Sequence, residues 1–199
     1  MKTYLKYSGL AVQSHRGGSL ESPENTLESF SYSQSIGCKY IETDVQISLD
    51  GIPYIFHDET LTRILKKDII FSSLHSSEID KLSIFNNYPI PTLEKALINF
   101  PEMFFQIDVK TDEVAIPALE IIKKCNAVDR VCIASFNSKR LNIVYKNCPE
   151  VCLSMGPIEV FKLLLASFNL YNKDIRGDCL QVPIYLSLIH ISEPTRLRT

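Results

Sequence analysis

The sequence predicts an α/β fold built on a parallel sheet. Two observations carry the prediction. Short strand-like runs alternate along the chain with helical patterns, the order that produces parallel strands. The strand-like runs number about seven, one short of the eight that close a (β/α) barrel. The chain has 199 residues, 45% hydrophobic and 22% charged, an ordinary globular composition long enough for one domain with a real core.

Residues 10–14 (LAVQS) read as a short buried strand ending in the glycine-containing loop His15-Arg16-Gly17-Gly18. A helix is expected next. Ser22 is placed as its N-cap, Pro23 at the first helical position and Glu24 at the positive end of the dipole. Leu27, Phe30 and Ile36 form its apolar face, and Gly37 stops it. Residues 39–47 (KYIETDVQI) give the clearest strand, with Tyr40, Glu42, Asp44 and Gln46 alternating against Ile41, Thr43, Val45 and Ile47. Asp50-Gly51 marks a tight turn, and 53–57 (PYIFH) reads as a returning or following strand. Further strands are predicted at 103–109, 130–135, 151–155 and 178–182, with helices at 92–99, 113–125, 137–146 and 158–170. The stretch from Leu61 to Pro91 is the least regular and reads as a lid or inserted loop. Its serine-rich piece, 72–77, reads as a loop leading into a short helix, with His75 as a structural residue.

A net charge of −2 supplies no bulk attraction for nucleic acid or an anionic membrane. No apolar run approaches the ~18 residues needed to span a bilayer. The N-terminal MKTYLKYSGL has neither an apolar core nor a small-residue cleavage site. Cys38, Cys125, Cys132, Cys148, Cys152 and Cys179 form no CxxC pair and have no histidine at zinc-finger spacing. They are expected to be reduced thiols in a cytoplasmic protein, most of them small buried hydrophobes. Residues 187–199 (SLIHISEPTRLRT) show no pattern and resemble a translated sequencing adaptor. The expectation is therefore a partial barrel domain over 1–186 and a non-native tail over 187–199, with His190 set aside.

The chemistry begins with Glu42 and Asp44. Two residues apart on a strand, they point to one face and repel each other unless a cation or a shared proton intervenes. Asp108 and Lys110 repeat the spacing on a later strand. Three carboxylates are hard oxygen donors and suit Mg²⁺ or Ca²⁺. The bland reading of the pair is a solvated strand face. Large apolar neighbours at the alternate positions oppose it, because they bury the other face under helices and turn the acids inward. His15 and His57 close strands at the end where α/β barrels gather catalytic groups, and imidazole exchanges protons near neutral pH. Arg16 could fork onto phosphate oxygens, or simply pair with a surface acid.

The string His15-Arg16-Gly17, Pro23-Glu24-Asn25-Thr26, Glu42-Thr43-Asp44-Val45, Asp50-Gly51-Ile52-Pro53, His57-Asp58, Leu61 and Arg63 resembles the glycerophosphodiester phosphodiesterase family in order and spacing. The likeness is strongest over 12–63. It continues through Pro91-Thr92-Leu93-Glu94, Ile107-Asp108-Val109-Lys110 and Ser135-Phe136 to about Pro183.

The resemblance implies a TIM-type (β/α)8 barrel of the phospholipase C-like phosphodiesterase kind, here incomplete, with the last strand and helix missing. It also implies hydrolysis of glycerophosphodiesters, as small-molecule substrates, to glycerol 3-phosphate and an alcohol. His15 and His57 would be the acid/base pair. Glu42, Asp44 and Asp108 would hold a divalent metal, Mg²⁺ or Ca²⁺, and Arg16 and Lys110 would meet the substrate phosphate. Asp108 stands where the family usually has Glu, and the family's Trp-containing last strand is absent. The alternatives are a phospholipase D-like lipid phosphodiesterase of the same plan, an inactive fragment or phosphate-binding module, and a structural scaffold.

Overall fold

The structure is a computed structural model that describes residues 1–6, 9–85 and 87–181. Its main sheet has six strands. Five run parallel in the order β1 (Gln13–His15), β2 (Tyr40–Ile47), β6 (Phe104–Val109), β7 (Val131–Ala134) and β8 (Cys152–Leu153). Between them lie α1 (Leu27–Ser35), α4 (Leu93–Asn99), α5 (Ala115–Lys124) and α6 (Ser138–Asn147), and α7 (Pro157–Ser167) follows β8. Among the described residues this is an incomplete α/β barrel. The strand expected at 178–182 is reduced to a single parallel bridge, Ser154 to Cys179, and residues beyond 181 lie outside the described residues. The tail read at 187–199, with His190, lies there too.

The alternation in β2 sorts the barrel into two faces. Ile41, Val45 and Ile47 enter the core with Phe105, Ile107 and Val109 of β6 and the inner faces of the helices. Ala115, Ala118, Leu119 and Ile122 of α5 are buried at helical spacing, so one stripe of that helix covers the sheet. Arg130 donates to the carbonyl oxygens of Leu97, Phe100 and Met103, satisfying acceptors freed where α4 ends. Inside the barrel, a 3-10 turn at Thr3–Leu5 places Tyr4 edge-on to Tyr40 and Phe104 and closes the floor.

Two expectations need correction, and one open alternative is decided. The helix after β1 starts at Leu27, capped by Thr26 with Ser29 as its reciprocal partner, and Ser22 is not its cap. Asn25 adopts a left-handed φ of 57°, which an α-helix cannot contain, so Pro23-Glu24-Asn25 is a loop. Ile36 is exposed and is not part of the buried face. Residues 53–57 turn back: β3 (Pro53–Ile55) is antiparallel to β2, because the short Ser48–Ile52 loop is far too brief for a parallel crossover. The irregular stretch from Leu61 to Pro91 is an ordered unit. It comprises α2 (Thr62–Leu65), a 3-10 turn at Phe71–Ser73, α3 (Ser76–Ile79) and the hairpin β4 (Ser83–Ile84) with β5 (Tyr88–Pro89). It has its own core of Phe56, Leu61, Phe71, Ile79 and Ile84. His75 caps α3, the structural part expected of it.

Candidate active site

The C-terminal ends of the parallel strands surround a cavity of about 740 Å³. All seven residues singled out from the sequence line it: His15, Arg16, Glu42, Asp44, His57, Asp108 and Lys110. Strand register explains the grouping. Asp44 stands opposite Asp108 on adjacent parallel strands, and Glu42 opposite Gln106, so their side chains share the inward face. His15 ends β1 opposite Glu42. His57 arrives differently from the expectation, since it follows the antiparallel β3 and does not end a parallel strand. Gln46 Nε2 holds that return by donating to the carbonyl oxygens of His57 (3.3 Å) and Asp58 (3.1 Å).

Asp44, 2% exposed, is the most tightly held of the acids. Lys110 Nζ lies 2.7 Å from its Oδ1, Asn25 Nδ2 donates to its Oδ2 at 3.0 Å, and Arg16 Nε stands 3.2 Å from Oδ2. That Arg16 nitrogen is buried and off the hydrogen-bonding direction to any partner. Lys110 also contacts Asp108 Oδ2 at 2.6 Å and so sits between the two aspartates. Burial works against its charge, but Asp44 and Asp108 outweigh burial and raise its pKa. Burial also raises the Asp108 carboxyl, against the pull of Lys110.

Glu42 is different. It accepts the Arg16 backbone N–H at 3.1 Å, and its one ion-pair contact among the described residues is His15 Nε2, at 3.9 Å. Burial, then the negative charge of Asp44, pushes its pKa up to about 7. His15 is held below its ordinary value by burial and by Arg16, which favours the neutral ring. Asp58 meets His57 Nδ1 at 2.6 Å, and Arg63 Nε donates to the other Asp58 oxygen at 2.7 Å. Burial would raise the Asp58 carboxyl, but the hydrogen bonds from His57 and Arg63 win and keep it low.

The motif residues without an assigned role prove to be the site's framework. Glu24 accepts from Arg16 at 3.1 Å and from Arg63, joining the first loop to the segment after His57. Asn25 donates to Asp44 and accepts from Thr43 at 2.8 Å. Gly17, at φ 78°, lies where a Cβ would stand 2.4 Å from Ser29 Oγ and 2.7 Å from the Phe30 ring, so the loop crosses α1 only with glycine there. An apolar wall of Phe136, Met155, Val160, Phe161 and Leu164 completes the cavity, and nothing in the acid and histidine pattern signalled it.

The donor set suits a hard divalent cation: three inward carboxylates, one of them with its pKa pushed up to about 7 by burial and then by the negative charge of Asp44. The three are not drawn to a point, however. Among the described residues only Cys132, Cys152 and Cys179 bring three ligand atoms within 4.8 Å of one another, and Lys110 stands between Asp44 and Asp108.

Residues 15–153 match the model of the glycerophosphoryl diester phosphodiesterase family. The chain is 31% identical over 207 aligned residues to a protein named probable glycerophosphodiester phosphodiesterase 2 of Mycobacterium tuberculosis, covering 98% of this chain and 76% of that one. It is 33% identical over 158 residues to the glycerophosphodiester phosphodiesterase of Caldanaerobacter subterraneus subsp. tengcongensis, covering 72% of this chain and 65% of that one. Among solved structures, a phosphodiesterase of Oleispira antarctica in complex with the product sn-glycerol-3-phosphate superposes with a TM-score of 0.71 at 27% identity, over 80% of this chain and 72% of that chain. The glycerophosphodiester phosphodiesterase of Thermotoga maritima gives 0.68 at 28%, over 81% and 71%. Fold and relatives together define a phosphodiester hydrolase on a TIM-type barrel. The chain belongs to the glycerophosphoryl diester phosphodiesterase family. No described helix is long and apolar enough to cross a membrane.

Proposed function

We propose that this chain hydrolyses glycerophosphodiesters to glycerol 3-phosphate and an alcohol. Glu42, Asp44 and Asp108 would hold a divalent cation, Mg²⁺ or Ca²⁺, and His15 and His57 would exchange protons with the reacting oxygens. The observation that carries this reading is that all five of these side chains, with Arg16 and Lys110, line one cavity. A bound cation would act as a Lewis acid toward the phosphoryl oxygens.

The chain's own groups do the rest. Arg16 and Lys110 neutralise charge on the phosphate. His15, its pKa lowered by burial and by Arg16, accepts the proton of the nucleophile, either water or the neighbouring glycerol hydroxyl. His57 is oriented through Nδ1 by Asp58, which leaves Nε2 to protonate the departing alcohol oxygen. The six cysteines are all free, in keeping with a reducing compartment, and a cytoplasmic location is part of the proposal.

The test is turnover of glycerophosphocholine with Mg²⁺ or Ca²⁺, for the chain and for His15→Ala and His57→Ala. Each substitution is expected to lower kcat by ~10²–10⁴. Near-original turnover in either variant removes that histidine from the chemistry. The apolar wall favours a second reading, in which the leaving group carries an acyl chain as in a lipid phosphodiesterase. Cleavage of sphingomyelin without cleavage of glycerophosphocholine would select it. Inactivity toward both, with no divalent binding, would leave a phosphate-binding module.

A further inference from the structure

We propose that Cys132, Cys152 and Cys179 form a second metal site, for one thiophilic cation such as Zn(II) or Cu(I), on the floor of the barrel below the carboxylates. The proposal does not depend on the reading of the catalytic site.

Topology brings the three thiols together from three separate segments. Cys132 of β7 pairs in register with Cys152 of β8, and Cys179 lies beside β8 through its bridge to Ser154. All three ligand sulfurs fall within 4.8 Å of one another, with Cys132 and Cys179 at 3.6 Å. Metal–sulfur bonds of ≈ 2.3 Å place the sulfurs of one coordination sphere roughly 3.8 Å apart, so the free thiols already stand near the required spacing. They are too far apart to be disulfide-bonded.

The surroundings fit a buried soft site. Cys132 and Cys152 are fully buried against Tyr4 and Tyr40, while half-buried Cys179 offers a way in. Hydrogen bonds from Cys132 and Cys152 pull the Cys179 thiol below its ordinary value, while the two thiols facing it are raised. Metal binding would release the sulfur protons to solvent. Three thiolates around Zn(II) leave one net negative charge and an open fourth position, and around Cu(I) they complete a trigonal set. Sulfur selects these ions over the Mg²⁺ or Ca²⁺ suited to the carboxylates above. The bound ion would tie β8, only two residues long, and the Cys179 segment to β7.

The test uses the full chain, reduced, anaerobic and stripped with a chelator, then titrated with Co(II) as a spectroscopic probe. The expected result is one equivalent bound with a sulfur-to-cobalt charge-transfer band, displaced by Zn(II) or Cu(I), and a rise in Tm. Cys152→Ser and Cys179→Ser should weaken binding by more than ~10²-fold, beyond the loss of an outer-shell partner. Cys38→Ser and Cys125→Ser should leave the band unchanged. Circular dichroism checks each variant's fold. Absence of the band in the unsubstituted chain overturns the proposal, as does its retention in a Cys179→Ser variant with the original dichroism spectrum. Failure of both Zn(II) and Cu(I) to displace Co(II) overturns it as well.

Discussion

Glu42→Gln should stabilise the metal-free protein above neutral pH. The side chain is 16% exposed, and burial next to Asp44 raises its pKa from the usual 4.5 to about 7. The folded state therefore binds a proton that the unfolded state has already lost between those values. Stability contributed by the neutral acid is complete below about pH 4.5, falls as pH rises through 7, and is gone above it. At ~1.36 kcal/mol per unit, the ionised carboxylate costs about 3 kcal/mol at pH 8. Glutamine keeps an oxygen to accept the Arg16 N–H and brings no charge. Urea unfolding in EDTA at pH 8 should show the variant more stable by about 3 kcal/mol, and at pH 5 by less than about 1 kcal/mol. Added Mg²⁺ or Ca²⁺ should stabilise the original chain at pH 8 and the variant much less. Equal stability of the two proteins at pH 8, or an equal gain at pH 5, would refute the claim that Glu42 is a strained, cation-seeking acid.

Two other substitutions examine the framework. Arg63→Ala removes the group bonded to Asp58 and Glu24, so His57 loses its indirect support. Turnover should fall about 10-fold with KM little changed, while stability moves by less than ~1 kcal/mol because Arg63 is half exposed. A large KM change with constant kcat would place Arg63 in substrate binding instead. Gly17→Ala forces a Cβ to within 2.4 Å of Ser29 Oγ at a left-handed φ, and should destabilise by on the order of 1–3 kcal/mol in urea titrations. A loss below about 0.5 kcal/mol would show that the loop can move away from α1 at little cost.

Much of the barrel was legible because strand period and helix period differ. The alternation in 39–47 assigned Glu42 and Asp44 to one face, and the same argument carried Asp108 and Lys110. What stayed hidden depended on partners distant in sequence. The pattern of 53–57 leaves a returning and a following strand both open, and the brevity of the connection over 48–52 decides for the return. Pro23-Glu24-Asn25 has helix-start chemistry, yet Asn25 turns left-handed so that its amide can bond Asp44 and Thr43. The segment from Leu61 to Pro91 lacks one period because it wraps short helices and a hairpin around Phe71. The three converging thiols follow no spacing rule, since strand register, not sequence distance, unites them.

The position of Lys110 explains how so acidic a site folds at all. Asp44 and Asp108 face each other in direct register, and two bare carboxylates there would repel. Lys110, two residues beyond Asp108 on the same strand, reaches back between them, while Arg16 and Asn25 take the other oxygen of Asp44. The two aspartates are thereby balanced by two cations, and Glu42 remains neutral when protonated. With Arg16 and Lys110 paired to the aspartates, the metal-free site has no surplus positive charge for a phosphodiester anion, and a cation on the carboxylates would free both for the phosphate. A divalent cation would change the balance: its two charges would meet that of an ionised Glu42 and that of one phosphodiester together. The acid that is hardest to ionise in the metal-free fold is the one whose ionisation would bring cation, carboxylate and substrate together to zero net charge.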